Sequence, residues 1–261
     1  MKPDLTSLLR DLEAEHAALD ARVADLDEEQ WRTATPAAGW DVADCISHLH
    51  YFDGTAVLAL TDEPAFTSHL QALLGGGVQE GADVAFGRAN SGGDLLEDWR
   101  RGRAALLTSL EKADPAVRVP WYGPPMSLAS FTSARLMETW AHGQDVTDAL
   151  GLEPVTSDRL RHVCHLGVQA RPYAYLVHGI DNPDTPVRVE LTGPGAGEWG
   201  PEDATDRIAG TALDFALLVT QRRHLHDLAL QVEGPTAAQW AGIAQAYAGP
   251  AGPGRAPLGT S

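Results

Sequence analysis

A repeated helical spacing of apolar residues over the first 180 positions most constrains the fold of this chain. In residues 4–28, leucine, valine and alanine recur near every 3.6 positions, the pattern of an amphipathic helix. The pattern predicts further long helices over about 41–60, 92–112, 127–150 and 157–179, and shorter pieces at 64–75 and 80–90. Long helices joined by short links are typical of an up-and-down four-helix bundle.

The pattern changes after about residue 182. Residues 187–191 alternate between apolar and polar side chains as a strand does, and a glycine-rich turn follows at 193–197. Residues 212–222 and 237–247 predict helices, and 228–232 predict a second strand. We therefore expect a mainly α protein with three parts: a helical bundle over 1–182, a small α/β C-terminal domain over 183–248 and a flexible tail over 249–261.

Composition excludes several classes of partner. The net charge of −17 and pI near 4.8 disfavour binding to nucleic acid or to an anionic membrane surface. The sequence contains no pattern of a signal peptide or a membrane-spanning segment. Cys45 and Cys164 are the only cysteines, which fits a reducing compartment. These features predict a cytoplasmic protein without a disulfide framework.

One pair of side chains suggests a chemical site. Glu138 and His142 are four residues apart on a predicted helix and therefore share a face. With His48 from an earlier helix they would supply two imidazoles and a carboxylate, a three-residue metal set with one position open. An ion pair between helices would use the same residues. His50 is the main rival ligand, but it lies about 200° around the helix from His48, so both cannot face one site.

Two strings at this point carry a resemblance to a known family. They are WYGPPMS at residues 121–127 and RLMETWAHGQD at 135–145, together with a looser pattern from Trp40 to His48. The chain resembles the DinB-like metalloprotein superfamily, and in particular the mycothiol-dependent maleylpyruvate isomerase branch and its uncharacterised actinobacterial metal-binding relatives. The resemblance covers residues 4–180 as a DinB-like bundle and 185–248 as the C-terminal domain.

The resemblance implies both a cofactor and a chemistry. It places the metal ligands on His48, Glu138 and His142, with zinc as the most usual ion. It also implies mycothiol or a related low-molecular-weight thiol, held by the metal as the nucleophilic thiolate, for S-transfer or isomerisation. The arginine-rich, lysine-poor composition, with only Lys2 and Lys112 as lysines, is consistent with an actinobacterial source.

Several neighbours have candidate supporting roles. Asp145 lies three residues after His142 and could accept its second N–H. Arg135 lies one turn before Glu138 and could orient that carboxylate or bind an acidic substrate, although an ordinary ion pair is at least as good an explanation. Asp53 is interpreted as a surface residue. By resemblance to the isomerase branch, Arg222 is the candidate for binding an anionic substrate.

Other groups are weaker candidates. Trp121, Tyr122 and Met126 could line the mouth of the site, but packing over the end of the bundle is the preferred interpretation. Three histidines of the fifth helix are expected to be structural, and both cysteines to be core thiols. The histidines are His162, His165 and His178.

The expected function is therefore a metal-dependent thiol transferase or isomerase acting on a small electrophile. Two other classes stay open: an enzyme of the same fold that uses the metal as a Lewis acid for hydrolysis or natural-product tailoring, and a non-catalytic protein with a structural metal. The second class would need a fourth protein ligand such as His50 or His165. The expected partners are small molecules, and a homodimer is left open.

Overall fold

The structure is a computed structural model that describes residues 4–78, 81–154, 156–252 and 254–259. The chain divides into two compact units, residues 1–155 and 156–261. No helix within the described ranges is long and apolar enough to cross a membrane. The first unit is helical apart from a short hairpin of β1 (Arg118–Val119) and β2 (Met126–Ser127). Its helices are α1 (Leu5–Val23), α2 (Glu28–Trp31), α3 (Val42–Thr61), α4 (Glu63–Leu74), α5 (Ala82–Ala89), α6 (Gly92–Lys112) and α7 (Leu128–Ala149).

The long helices begin where the sequence supplies a capping side chain. Asp41 accepts a hydrogen bond from the backbone N–H of Asp44 at 2.8 Å, and Asp44 accepts one from the N–H of Asp41 at 3.3 Å. This reciprocal capping box sets the start of α3. Ser91 and Ser127 cap α6 and α7 in the same way, each accepting from the N–H three residues on.

Helices α1, α3, α6 and α7 pack against one another as a bundle. Their shared core is apolar and includes the fully buried Trp99, Ile46 and Leu49. The shorter α5 lies against α3, where a Cβ on Gly87 would approach the carbonyl oxygen of Ala43 and the Cβ of Ser47 at 2.8 Å. Only glycine allows so close an approach. The predicted helical bundle is confirmed.

The second unit combines helices with a mixed four-stranded sheet of order β4-β3-β5-β6. The central strands β3 and β5 run parallel, and the outer strands pair antiparallel with them. The strands are β3 (Val187–Thr192), β4 (Gly197–Trp199), β5 (Asp206–Thr211) and β6 (Gln231–Glu233), and the helices are α8 (Leu160–Gln169), α9 (Arg171–Val177), α10 (Ala212–Val219) and α11 (Pro235–Ile243). The predicted small α/β part is confirmed, although the sequence pattern had not indicated β5.

The predicted fifth helix over 157–179 is wrong as a single element. It is interrupted at Ala170, and α9 carries Pro172 in its first turn, where the missing N–H and the proline ring do not allow α8 to continue. Helix α8 packs on α10, because Gly167 lets Val219 approach to a distance that a Cβ would not permit. Helix α9 in turn packs on α11, so both α8 and α9 group with residues 156–261, whereas the change of pattern in the sequence predicts a boundary at 182.

The described part of the C-terminal tail is held by hydrogen bonds. The Tyr173 hydroxyl donates to the carbonyl oxygen of Gly249 at 3.1 Å, and the N–H of Leu258 donates to the Asp227 carboxylate at 2.9 Å. These contacts lie within the second unit. Flexibility of residues 249–261 stays a prediction.

Candidate metal centre

Helices α3 and α7 bring His48, Glu138 and His142 together. One potential ligand atom from each residue lies within 4.8 Å of the other two. His142 Nε2 is 3.5 Å from Glu138 Oε2, and the rings of His48 and His142 have centroids 4.6 Å apart. Three donors from two packed helices therefore converge on one point, as the i, i+4 spacing on α7 and the third residue on α3 predict.

The three side chains differ in their exposure to solvent. The side chain of His142 is 9% exposed, whereas those of His48 and Glu138 are 18% and 22% exposed. The site is thus buried at His142 and accessible beside His48 and Glu138. Neither His50 nor His165, the two candidates for a fourth protein ligand, belongs to this group of donor atoms.

A carboxylate that the sequence analysis missed holds the second nitrogen of His48. His48 Nδ1 lies 2.8 Å from Asp83 Oδ2 on α5. Buried Ser47 fixes α5 against α3: its hydroxyl donates to the carbonyl oxygen of Asp83 at 2.9 Å and accepts from the N–H of Gly87 at 3.0 Å. With Nδ1 facing Asp83, Nε2 is the nitrogen of His48 that can bind an ion. The sequence predicted a helix at 80–90 but gave no signal for which helix it packs on.

His142 is oriented from its other side by Asp145. His142 Nδ1 is 3.6 Å from Asp145 Oδ2, and Asp145 is completely buried. The arrangement leaves His142 Nε2 facing Glu138. Cys45, His142 and Asp145 form a second group of potential donors within 4.8 Å of one another, all buried. Trp40 stacks on the His142 ring at 5.7 Å and 17°, which further restricts the rotation of the imidazole.

The electrostatics of the site favour a charged carboxylate at Glu138. Burial opposes ionisation of this group. The hydrogen bond from His142 and the positive charges of His142, His48 and Arg135 nevertheless lower its pKa to about 2. The hydrogen bond with His48 likewise lowers the pKa of Asp83, although burial opposes it. Both carboxylates are therefore ionised at neutral pH.

Arg135 and Asp53 form a buried ion pair one turn along α7 from Glu138. Arg135 Nη2 donates to Asp53 Oδ1 at 3.0 Å, with Arg135 3% and Asp53 1% exposed. The interpretation of Asp53 as a surface residue is wrong, because α3 points it into the bundle toward α7. The positive charge of Arg135 helps to lower the pKa of Glu138. The assignment of Arg135 as a cofactor-binding residue stays a prediction.

The remaining candidates lie elsewhere. His50 packs against Phe86 at 5.2 Å and beside Gly102. Arg222 belongs to the second unit, just after α10, and its side chain donates to the carbonyl oxygen of Thr220 at 2.7 Å. The two histidines of α8 and His178, which follows α9, are in the same unit, where His165 accepts from Trp199 Nε1 at 3.1 Å. Burial raises the pKa of the Cys164 thiol to about 12, as expected for a core thiol.

A wall of aromatic rings adjoins the candidate ligands within the first unit. Phe52 lies 4.6 Å from the His48 ring and 5.4 Å from that of Tyr122. Trp121 stacks on Phe66 at 5.7 Å and 6°. The loop between β1 and β2 therefore packs on the bundle, as preferred in the sequence analysis, and reaches the aromatic wall next to His48 as well.

A divalent metal ion fits this set of donors. The carboxylate is ionised, each imidazole has a carboxylate on its far nitrogen, and the ligand atoms are close enough to share one ion. Histidine and carboxylate ligands accept zinc and several other first-row divalent ions, so the donor set does not select one metal.

Comparison with known proteins identifies the family of the chain. Residues 12–147 match the family model of the mycothiol maleylpyruvate isomerase N-terminal domain. Two uncharacterized proteins of Mycobacterium tuberculosis, from strains CDC 1551 / Oshkosh and ATCC 25618 / H37Rv, are each 46% identical over 250 residues, covering 94% of this chain and 96% of theirs.

Solved structures show the same fold. The crystal structure of a mycothiol-dependent maleylpyruvate isomerase matches with a TM-score of 0.58 and 14% identity, covering 90% of this chain and 96% of its own. A mutant of such an enzyme matches with a TM-score of 0.56 and 12% identity over 84% and 90% of the two chains. The DinB-like fold and the resemblance seen in the sequence are confirmed. The chain belongs to the family of proteins built on the mycothiol maleylpyruvate isomerase N-terminal domain.

Proposed function

We propose that this protein is a divalent-metal-dependent enzyme that uses mycothiol or a similar low-molecular-weight thiol for S-transfer to, or isomerisation of, a small electrophile. The observation that carries the proposal is the convergence of His48, Glu138 and His142 within 4.8 Å, with two of the three side chains partly exposed. Three protein ligands with an accessible side are typical of catalytic rather than structural metal sites. Membership of an isomerase-related family supports the assignment to an enzyme.

The residues of the site have separate roles in this proposal. His48, Glu138 and His142 would hold the ion, which when bound supplies a positive charge that stabilises the thiolate form of a thiol. Asp83 is hydrogen-bonded to the far nitrogen of His48, and the carboxylate of Asp145 lies 3.6 Å from the far nitrogen of His142; both would favour the tautomer that turns Nε2 toward the ion. The carboxylate of Glu138 offsets one charge of a divalent ion, so that a bound thiolate brings the site close to neutral.

Two arginines have further roles in this proposal. Arg135 would act through its charge on Glu138 while its guanidinium stays paired with Asp53. Arg222 is assigned to an anionic group of the electrophile on the strength of the family resemblance. An Arg222→Ala variant should raise KM for anionic electrophiles and leave metal content unchanged.

The first experiment measures metal and thiol binding together. Metal content is determined by mass spectrometry on untagged wild type, His48→Ala, Glu138→Ala and the matched control His50→Ala, which changes a histidine of the same helix outside the donor group. Mycothiol is then titrated into each metal-loaded protein by calorimetry. We expect about one equivalent of metal in wild type and His50→Ala, its loss in the two ligand variants, and saturable thiol binding only where metal is present.

Each other outcome points to a different class. Metal without thiol binding would overturn the thiol enzyme in favour of a Lewis-acid hydrolase, a tailoring enzyme or a non-catalytic metal protein. Full turnover by a metal-free His142→Ala protein would contradict the metal-dependent mechanism. Equal metal content in all four proteins would show that the three residues form only an ion-pair cluster.

A further inference from the structure

A second polar group lies within the aromatic wall next to the candidate metal ligands. We call it the phenol cluster: Tyr51 of α3, His69 of α4 and Tyr122 of the loop between β1 and β2. His69 Nε2 lies 3.1 Å from the Tyr122 hydroxyl and 3.4 Å from the Tyr51 hydroxyl. Three separate elements thus direct polar atoms at one point, and all three side chains are partly exposed.

Counting hydrogens shows that His69 cannot use the hydroxyl hydrogens of both phenols. A neutral imidazole nitrogen carries either one lone pair or one N–H. If His69 Nε2 is unprotonated, it accepts from one phenol and leaves the hydroxyl hydrogen of the other free of the imidazole. If it is protonated, it donates to one phenol and both hydroxyl hydrogens are free of it. In either tautomer at least one phenolic O–H is not used by His69, and Tyr122 has a further hydrogen-bond partner in Thr55.

The surroundings keep both phenols in their neutral, donating form. Burial raises the pKa of Tyr122 to about 12, with a further contribution from Tyr51, while Thr55 and Arg135 oppose the rise. Burial also raises the pKa of Tyr51, with the negative charge of Asp83 adding to it. Neutral phenols held beside an imidazole are a donor set suited to a carbonyl, enolate or carboxylate oxygen.

The phenol cluster faces the same side of α3 as the candidate metal ligand. His48, Tyr51 and Phe52 are spaced i, i+3 and i+4, which puts them on one helix face. The Phe52 ring lies between the two groups, 4.6 Å from His48 and 5.4 Å from Tyr122. Trp121 continues the wall, 4.8 Å from Tyr122. A flat molecule on this wall would have the ligands at one end and the phenols at the other.

We propose that Tyr51 and Tyr122, arranged by His69, form a specificity site that binds an oxygen atom of a planar aromatic or conjugated electrophile. The inference rests on the proposed function, since it gives the substrate class of the same site. Phe52 and Trp121 supply stacking for the planar part, and the phenols hydrogen-bond its carbonyl, enolate or carboxylate oxygen. A merely structural cluster would hold the 120–127 loop on the bundle without favouring any oxygen-bearing ligand.

The test compares two probes that differ by a single hydroxyl. Binding of 4-nitrophenol and nitrobenzene is measured by calorimetry on metal-loaded wild type, Tyr51→Phe, Tyr122→Phe and the matched control Tyr173→Phe, whose hydroxyl bonds Gly249 in the second unit. We expect wild type and Tyr173→Phe to prefer 4-nitrophenol by about tenfold or more, the effect of roughly one good hydrogen bond. Each of the other two variants should lose most of that preference while nitrobenzene binds as before.

Direct binding of the probe to the ion is separated by removing the metal. Chelated wild type and His142→Ala should keep the preference for 4-nitrophenol. Loss of the preference in these proteins, with its survival in Tyr51→Phe and Tyr122→Phe, would overturn the proposal, as would equal binding of both probes to wild type. The thiol titration is independent: absence of thiol binding with an intact phenol preference removes the thiol enzyme but leaves the oxygen site.

Discussion

Two charged clusters lie where α3 meets α7, the second of them completed by His16 of α1; they are built from similar residues but are suited to opposite tasks. The ligand cluster (His48, Glu138, His142) has two partly exposed side chains and three donor atoms directed at one point. The interior cluster (His16, Asp53, Arg135) lies in the bundle, with each residue at most 3% exposed. The ligand cluster, built on α3 and α7, is thus open to a ligand, whereas the interior cluster, which α1 completes with His16, is closed to it.

The difference shows how charge is balanced in each place. In the interior cluster Asp53 and Arg135 neutralise one another at 3.0 Å, while Asp53 Oδ2, Arg135 Nε and both ring nitrogens of His16 have no hydrogen-bond partner among the described residues. In the ligand cluster a single carboxylate faces two imidazoles, and each imidazole has a further carboxylate behind it. The first arrangement stabilises the pairing of helices, and the second leaves net negative charge that suits a cation.

Breaking the interior pair should have the largest effect on stability. We expect Asp53→Ala to cost about 3 to 5 kcal/mol of the free energy of unfolding, because it leaves the buried guanidinium of Arg135 without its counter-charge. The matched control is Glu97→Ala, which removes one side of an exposed pair with Arg101, where both side chains are about 70% exposed, and should cost about 1 kcal/mol or less. Chemical denaturation of the metal-free proteins measures both.

A double variant sharpens this test. Replacing both charges in Asp53→Leu/Arg135→Leu should be less damaging than Asp53→Ala alone, since no unpaired charge stays buried. Equal losses in the single and double variants would mean that packing volume, and not charge, stabilises this crossing of α3 and α7. An Asp53→Ala protein as stable as Glu97→Ala would contradict the interior role of the pair.

The second effect is a pH dependence of stability that originates at His16. Burial lowers the pKa of His16 from 6.5 to about 4; the charge of Asp53 opposes the shift, and those of Arg103 and Arg135 add to it. Below pH 6.5 His16 is therefore protonated in the unfolded chain but stays neutral in the folded protein until the pH approaches 4. The contribution of His16 is complete above pH 6.5 and decreases as the pH falls toward 4, by about 3 kcal/mol in total at 1.36 kcal/mol per pKa unit.

Comparison with a His16→Leu variant isolates this contribution. The difference in unfolding free energy between wild type and variant should change steadily between pH 7.5 and pH 5, with wild type losing more stability toward acid. Titration of other groups, including His50, whose pKa burial also lowers, affects both proteins alike. Parallel stability curves over this range would show that His16 is not held neutral in the fold.

Helical spacing and the family resemblance together pointed to the three residues of the ligand cluster, whereas nothing in the sequence pointed to the interior one. The i, i+4 spacing of Glu138 and His142 fixes their common face, and the capping residues Asp41 and Ser127 fix where both helices begin. The partner of Arg135 could not be found in this way. Helical spacing offers Glu138 at i+3, whereas the observed partner Asp53 is 82 residues away on α3. Which faces of two helices meet depends on the packing of the whole bundle.

The same reason explains why Asp83 was missed. Its contact with His48 depends on the seating of α5 on α3, which rests on the small side chain of Ser47 and the absence of one at Gly87. The sequence around Ser47 and Gly87 contains no pattern that indicates contact with a residue 35 or more positions away. The break of the fifth helix was foreseeable by comparison, because Pro172 is a local signal whose effect on the preceding turn is known.

The smallest of the three effects concerns the support of the ligand cluster by Asp83. Because the carboxylate bonds His48 Nδ1 at 2.8 Å, we expect Asp83→Ala to weaken metal binding by about 10- to 100-fold. Asp83→Asn, whose amide oxygen can still accept from Nδ1–H, should lose less. Competition against a chromogenic chelator measures the affinity without relying on turnover. Asp203→Ala, which removes an exposed carboxylate of the second unit, controls for the change in net charge.

The outcome bears directly on the contrast between the two clusters. If Asp83→Ala loses affinity while its metal-free stability stays within about 1 kcal/mol of wild type, the carboxylate serves the ligand and not the fold, the reverse of Asp53. Unchanged affinity would mean that His48 keeps its orientation through Trp40 and Phe52, whose rings lie 5.1 and 4.6 Å from it. In that case the ligand cluster would be arranged by aromatic packing and the carboxylate behind His48 would be an ordinary ion pair.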